Sequence, residues 1–295
     1  MVQRLQPTQK GLLPHPTGIV LPLVEADMIE AREAEGPRPT FRGTRLRASQ
    51  ALKCARAVGF EILQVQPSNP IPFETLMAFE VGNEFHRKIQ GIVMRQLGAA
   101  IEVTGYYPEE DLSCHADFVY NRYLFNPGQA DIPIKTVGEI KSSSGFGFLI
   151  ITGQRRSDEG PGPRDEHVAQ AALCAMAPNI DAKNLHFVYI DKDRHSIAEW
   201  ILHMDEPQVR YQGLSPRQLA EAELERMRGI LGRLDSGMLP ARHVPGFGRV
   251  NHVPSPDSRD NPWQCRYCQY NAICSTIAPT PTPLDELELP IYEGE

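Results

Sequence analysis

Three consecutive segments, AAIEVTGYYP, LSCHADFVY and KTVGEIKSS, carry Val, Ile and Tyr in near alternation and are separated by Pro, Asp, Asn and Gly. A period of two describes strands with one buried face, and breakers between them describe reversals, so this stretch predicts consecutive antiparallel strands. Helical patterns bracket it. Upstream, Leu76, Phe79, Val81, Phe85, Ile89, Ile92, Val93 and Leu97 return to one broad face of a helix running from about Glu74 to Leu97. Downstream, HVAQAALCAMA reads as a helix, LHFVYI and HSIAEWILHM flank the turn Asp191 to Arg194 as a hairpin, and a further helix follows from about Ser215 to Leu234. Strands and helices interleaved in this way predict an α/β (α+β) class.

The flanks read differently. Residues 1–44 are rich in Pro and Gly around one helix-like piece, EADMIEAREAEG, and form an appended arm. The pattern RASQALKCARAVGFEIL, with Ser49 as cap, predicts the first core helix from Arg45, carrying Cys54. GQRRSDEGPGPRD, residues 153–165, predicts a mobile loop. One core over 45–280 is expected, followed by an acidic tail, 281–295, whose Pro, Thr and carboxylate content predicts disorder. The formal net charge of -7 argues against a protein that coats nucleic acid, but that tail supplies much of it. In contrast, Arg38, Arg42, Arg45, Arg47, Lys53 and Arg56 fall in a stretch without Asp or Glu, a candidate phosphate-facing strip. No apolar run reaches about 18 residues and the start lacks a secretory layout, so a cytoplasmic protein with no membrane partner is expected.

Chemistry concentrates in two places. Glu139-Ile140-Lys141 puts a carboxylate and an ammonium on one face of a strand, and a preceding strand can bring Asp117 opposite them. Two hard carboxylates suit Mg2+ or Mn2+, which polarises a phosphate and acidifies its bound water; Lys141 is placed to orient that water or balance charge on the phosphate. His86, on the long helix, adds an imidazole ligand that favours Mn2+, and Gln170, on the later helix, is placed to hold Lys141. An E-x-K triplet alone is usually an exposed ion pair. Its weight comes from the order helix, strand, strand, helix in which these residues occur.

The second place is cysteine spacing. Cys265, Cys268 and Cys274 form C-x2-C-x5-C, with Cys54 far upstream. Six cysteines are too few for a disulfide scaffold in a chain of 295 residues, and four thiolates suit a 4Fe-4S cluster or tetrahedral zinc. Either centre would tie the first core helix to the C-terminal segment. Cys114 and Cys174 fall in apolar segments and read as buried side chains.

The pieces GNEFH around His86, CHADF around Asp117, GEIKSSS around Glu139 and Lys141, HVAQAALCA around Gln170, and NPWQCRYCQY around Cys265 and Cys268 together resemble the PD-(D/E)xK nuclease superfamily. The likeness is to its RecB-like branch and the CRISPR adaptation nuclease called Cas-four, over about Arg45 to Ser275. It implies a restriction-endonuclease-like core with a central mixed sheet flanked by helices. It further implies metal ligation by His86, Asp117, Glu139 and the Ile140 carbonyl, catalysis by Asp117, Glu139 and Lys141 with Gln170, and a 4Fe-4S cluster on Cys54, Cys265, Cys268 and Cys274. The implied activity is a metal-dependent deoxyribonuclease acting on single-stranded DNA ends, commonly 5' to 3' and often with endonuclease activity. CRISPR adaptation or recombination is the implied setting, with a CRISPR integrase or recombination proteins as partners. Where relatives carry Tyr four residues after the Gln, this chain has Cys174. The alternative reading is a DNA-end-binding adaptor in which zinc or iron-sulfur is structural; no G-x4-G-K-[ST] loop marks a fused motor.

Overall fold

The computed structural model describes residues 20–34, 43–69, 71–124, 132–156, 161–242, 265 and 267–292. Arg38, Arg42 and Arg266 lie outside the described residues, as does 157–160 of the Gly-rich loop. The chain forms a mixed sheet flanked by helices on both faces. In order the elements are α1 (Val20–Ala34), β1 (Leu46–Arg47), α2 (Ala55–Ile62), α3 (Phe73–Leu97), β2 (Ala100–Tyr107), β3 (Leu112–Leu124) and β4 (Ile132–Ser143). Then come α4 (Gly145–Ile151), α5 (Asp165–Met176), β5 (Asn184–Asp191), β6 (Ile197–His203), α6 (Pro216–Asp235), β7 (Met238–Leu239), α7 (Asn271–Thr276) and β8 (Thr282–Pro283). Among the described residues no helix is long and apolar enough to cross a membrane.

The sheet runs β1-β3-β4-β5-β6, with β2 on the other edge of β3. β2, β3 and β4 are successive antiparallel partners, as the alternation predicts, and β5 and β6 form the expected hairpin. The mixed character comes from two parallel pairings, β1 with β3 and β4 with β5. Between β4 and β5 the chain crosses through α4 and α5, as parallel neighbours require.

Each long helix has a local reason to start and stop. α3 follows Pro72 and ends on Gly98, whose φ of +62° is a left-handed cap that costs a glycine little. α6 opens on a capping box: Ser215 Oγ accepts from Gln218 N at 3.3 Å while Gln218 Oε1 accepts from Ser215 N at 2.9 Å, with Pro216 at the first position. α5 is apolar almost all round, with Val168, Ala169, Ala171, Ala172, Leu173, Cys174 and Ala175 buried. Such a helix belongs inside the molecule, and it packs between the sheet and α6. The opposite face of the sheet is covered by α3, where Val93 meets Phe118, Ile140, Val188 and Ile190. At Gly138 a Cβ would sit 2.0 Å from the Phe118 ring, so the glycine before Glu139 is a packing requirement.

Two expectations are corrected. The stretch after Arg45 is not helix: Leu46 and Arg47 pair with Leu112 and Ser113, a short 3-10 turn follows, and Cys54 caps α2 instead of lying within a helix. A non-local strand pairing outcompetes the helical periodicity there. The acidic tail is ordered as far as Tyr292: Thr282 and Pro283 pair with β7, Gln66 N donates to Pro290 O, and Leu284, Leu287 and Leu289 pack on a cluster of Phe60, Val65, Leu239, Tyr270 and Ile277. Its leucines are spaced to reach one apolar surface while its carboxylates stay in water, so acidic composition does not prevent docking. Of the Gly-rich loop, the described flank is pinned, with Gly162 N donating to Ile151 O and the Tyr211 hydroxyl donating to Pro163 O at 3.1 Å.

Candidate active site

The site is built where two strands part. β3 and β4 are paired from Leu124 and Ile132 down to Phe118 and Gly138, and there the ladder stops. The next inward-facing backbone groups, those of Ile140, are taken up by side chains. Ile140 N donates to Asp117 Oδ2 at 2.6 Å, and Ile140 O lies 3.0 Å from His86 Nε2. His86 Nε2 is also 3.0 Å from Asp117 Oδ2. Asp117 thus continues β3 into the fork, and α3 lays His86 across its mouth. Burial opposes charge on His86, but Asp117 and the Ile140 carbonyl outweigh it and raise the imidazole above its ordinary value.

Glu139 lies beside this group, 1% exposed. Its neighbour Lys141 Nζ stands 2.5 Å from Oε1, yet neither carboxylate oxygen has a partner with hydrogen-bond geometry among the described residues. Burial pushes the Glu139 carboxyl up to about 7; Lys141 opposes this and Asp117 adds to it. Lys141 stays protonated because the Glu139 carboxylate outweighs the burial that works against its charge. From α5, Gln170 Oε1 accepts from Lys141 Nζ at 3.3 Å, so the amide does reach the lysine. The structure therefore brings together His86, Asp117, Glu139, Ile140, Lys141 and Gln170.

These residues fit a divalent cation. A metal with ligands at about 2.1 Å in octahedral geometry spaces adjacent ligands roughly 3.0 Å apart, the separation of His86 Nε2 from both Asp117 Oδ2 and Ile140 O. The same distances serve hydrogen bonds of a protonated imidazole, so spacing alone is neutral between the two. Glu139 tips the balance, because it buries a second carboxylate beside Asp117, burial and the closeness of the two raise its carboxyl, and a cation between them offsets that cost.

Two neighbours escaped the sequence reading. Glu102 groups with His86 and Asp117, one ligand atom of each lying within 4.8 Å of the others. It sits across from Asp117 in β2 but drops out of the ladder, with φ at +51°, and its carboxylate takes a bond from Gln90 Nε2, which also donates to Asp117 O at 3.1 Å. In the sequence it looks like the polar half of an ordinary alternation; only the register of β2 against β3 singles it out. His167 is the other, three residues before Gln170 and bonded through Nδ1 to the Tyr189 hydroxyl at 2.7 Å. Burial, with Lys141 and Arg164 adding to it, holds its pKa well below the ordinary value, so it is a neutral group at the rim of the site.

The described part of the basic strip is not a row of unpaired cations, and Arg56 is not on the surface. Arg45 pairs with Asp111 and Asp235 at 2.6 Å each, Arg47 with Glu61 at 3.0 Å and Lys53 with Glu61 at 3.6 Å. Arg56 is fully buried, giving its Nε to Pro240 O at 2.9 Å and its Nη2 to Thr280 O at 2.7 Å. Absence of acids within a sequence window says nothing of the acids that folding brings to it, and here it brings Asp111, Asp235 and Glu61.

The spaced cysteines lie elsewhere in the fold, Cys54 at the start of α2 and Cys265, Cys268 and Cys274 in the C-terminal segment. Cys54, Cys265, Cys268 and Cys274 are all half-buried free thiols, while Cys114 and Cys174 are buried in the core. Burial raises Cys265 to about 11 and Cys268 to about 12, and in each the other thiols of the set add to the rise. They do not form a group as tight as His86, Glu102 and Asp117. Tyr270 packs against Phe60 in a tilted arrangement, ring centroids 5.3 Å apart, and is buried, whereas Tyr267 is exposed.

No family profile matches the chain, and no curated protein matches it. Among solved structures, a chain described as "Crystal structure of SSO0001" matches with a TM-score of 0.46 and 16% identity, covering 87% of this chain and 96% of that one.

Proposed function

We propose that the protein is a metal-dependent deoxyribonuclease that hydrolyses phosphodiesters at single-stranded DNA ends. The observation that carries this reading is the convergence of two carboxylates, an imidazole and an ammonium: Glu139, 1% exposed and ion-paired with Lys141, stands beside the His86-Asp117-Ile140 group. His86, Asp117, Glu139 and the Ile140 carbonyl would hold Mg2+ or Mn2+, and the bound ion would supply Lewis acidity toward a phosphate oxygen and a more acidic water. The chain's own residues do the rest. Lys141, fixed between Glu139 and Gln170, offers an ammonium to the oxygen on which charge develops. Asp117 is oriented by the Ile140 N–H and by His86, both at its Oδ2.

The four half-buried cysteines are proposed to hold a 4Fe-4S cluster that joins α2 to the C-terminal segment. Four thiolates also suit tetrahedral zinc; the likeness of NPWQCRYCQY to the late cysteine motif of the Cas-four branch supports the cluster. An adaptation or recombination role, with integrase or recombinase partners, follows from the same resemblance.

End-labelled single-stranded DNA incubated with Mg2+ or Mn2+ tests the reading. Degradation that stops on chelation and is absent from Glu139→Ala and Lys141→Ala supports it. Unchanged rates in both variants would sink the site assignment, and binding of ends without cleavage in the native protein would favour an adaptor.

A further inference from the structure

Two arginines are buried beside the cysteine centre with no carboxylate to balance them. Arg56 follows Cys54 by two residues in the first turn of α2 and is 0% exposed. Two of its nitrogens go to the Pro240 and Thr280 carbonyls, and Nη1 has no partner. Arg242 is 7% exposed; its Nη2 bonds the Cys274 and Ile277 carbonyls, and its Nε has no partner. Among the described residues neither forms an ion pair with Asp or Glu, unlike every other cation discussed above. The nearest groups able to carry negative charge are thiols: Cys274 and Cys54 beside Arg56, Cys274 and Cys265 beside Arg242.

Two like charges buried near each other without counter-ions are costly, and carbonyl oxygens return only part of that cost. Four neutral thiols do nothing to offset it. Four metal-bound thiolates do: Zn2+ with four thiolates, or an oxidised 4Fe-4S core with four thiolates, each carry a net charge of two minus, which matches two guanidiniums. The positive end of α2, capped by Cys54, points the same way.

We infer that Arg56 and Arg242 are the counter-ions of an anionic four-thiolate metal centre on Cys54, Cys265, Cys268 and Cys274, with Arg56 Nη1 and Arg242 Nε as the donors left free for it. This rests on the proposed metal centre but not on which metal fills it. Arg56 is therefore a tuning residue of that centre and not a DNA contact.

The test uses the full chain purified without oxygen, with iron, acid-labile sulfide and zinc measured first. A protein that holds none of them defeats the metal centre itself. Given metal, Arg56→Gln and Arg242→Gln are each expected to release it to EDTA about tenfold faster than the native chain, with Arg56→Lys close to native. Given iron, each neutral variant is expected to disfavour the reduced cluster about tenfold, a fall of about 59 mV for one electron. A packing role alone would not move that potential, nor be rescued by lysine. Metal release within twofold of native in a folded, fully loaded Gln variant overturns the inference while leaving the centre standing. If Arg56→Gln does not accumulate folded, Arg242→Gln decides by the same readouts. If neither does, Arg56→Lys and Arg242→Lys decide: folded protein that keeps its metal in both supports the counter-ion role, and loss of metal or of folding in both despite the retained charge overturns it.

Discussion

The two centres of this molecule carry opposite electrostatic debts. At the fork of β3 and β4 the interior concentrates carboxylates: Glu139 is buried against Lys141, and Asp117 beside it is answered by His86. Where α2 meets the C-terminal segment, the interior holds surplus positive charge on Arg56 and Arg242. The first deficit calls for a cation and the second for an anionic group. The scaffolds differ as well. Asp117, Glu139 and Lys141 stand on neighbouring strands of one ladder, so their positions follow from β register; the cysteines lie on segments distant in sequence, and a bound group would itself draw those segments together.

That contrast is broken most forcefully at Cys54. Cross-linking a loop of this length is worth on the order of 5 kcal/mol by chain entropy alone, so Cys54→Ala is expected to lose the metal and lower thermal stability steeply. Cys114→Ala, in the core, is expected to keep it. Metal analysis and a melting curve on both variants check this, and equal metal content in the two would dissolve the proposed second centre.

At the first centre the same kind of substitution acts on rate instead. Glu139→Ala or Lys141→Ala is expected to reduce metal-dependent cleavage about 10²–10³-fold or more, the usual cost of losing one electrostatic contact to a transition state. Stability should fall as well. Glu139→Gln leaves the buried Lys141 ammonium without its carboxylate, so without metal its melting temperature is expected to lie below the native one, and added Mn2+ should widen the gap by stabilising only the native chain. A melting temperature above the native one for Glu139→Gln without metal would show that the Glu139-Lys141 pair does not repay the cost of its burial.

How much of this was legible beforehand follows from the range of each interaction. The β2-β3-β4 succession, the β5-β6 hairpin, α3 and the capped α6 rest on periodicity and caps within a few residues, and the sequence predicts each near its observed bounds. The parallel pairings of β1 with β3 and β4 with β5 depend on contacts across many residues, and no local pattern encodes them. For the same reason Arg56 read as a surface cation and Leu284 to Leu289 as part of a loose tail, although both are fixed by partners far along the chain. The grouping of His86, Asp117, Glu139 and Lys141 was anticipated from motif order, but Glu102 was not, because its place opposite Asp117 appears only once β2 is in register.

A smaller effect tests why the glycine precedes Glu139. The Phe118 ring fills the place of a Cβ at Gly138, and overpacking a dense core costs about 1–3 kcal/mol. Gly138→Ala is expected to lose stability in that range and to slow cleavage by displacing Glu139, with metal at the cysteine centre unchanged. Loss of metal from both centres together would mean that they are coupled through the sheet.

The least effect is expected at the basic strip. Arg45 is an exposed residue already paired with Asp111 and Asp235. Surface ion pairs contribute roughly 0–1 kcal/mol, so Arg45→Ala should change stability little. Its guanidinium is satisfied within the molecule, so the salt dependence of single-stranded DNA binding should also stay the same, whereas loss of a phosphate contact would flatten the slope by about 0.7 per charge. Binding of a fluorescent oligonucleotide across a salt series separates the two. A flattened slope would return Arg45 to the DNA path and show that its partners exchange it for phosphate.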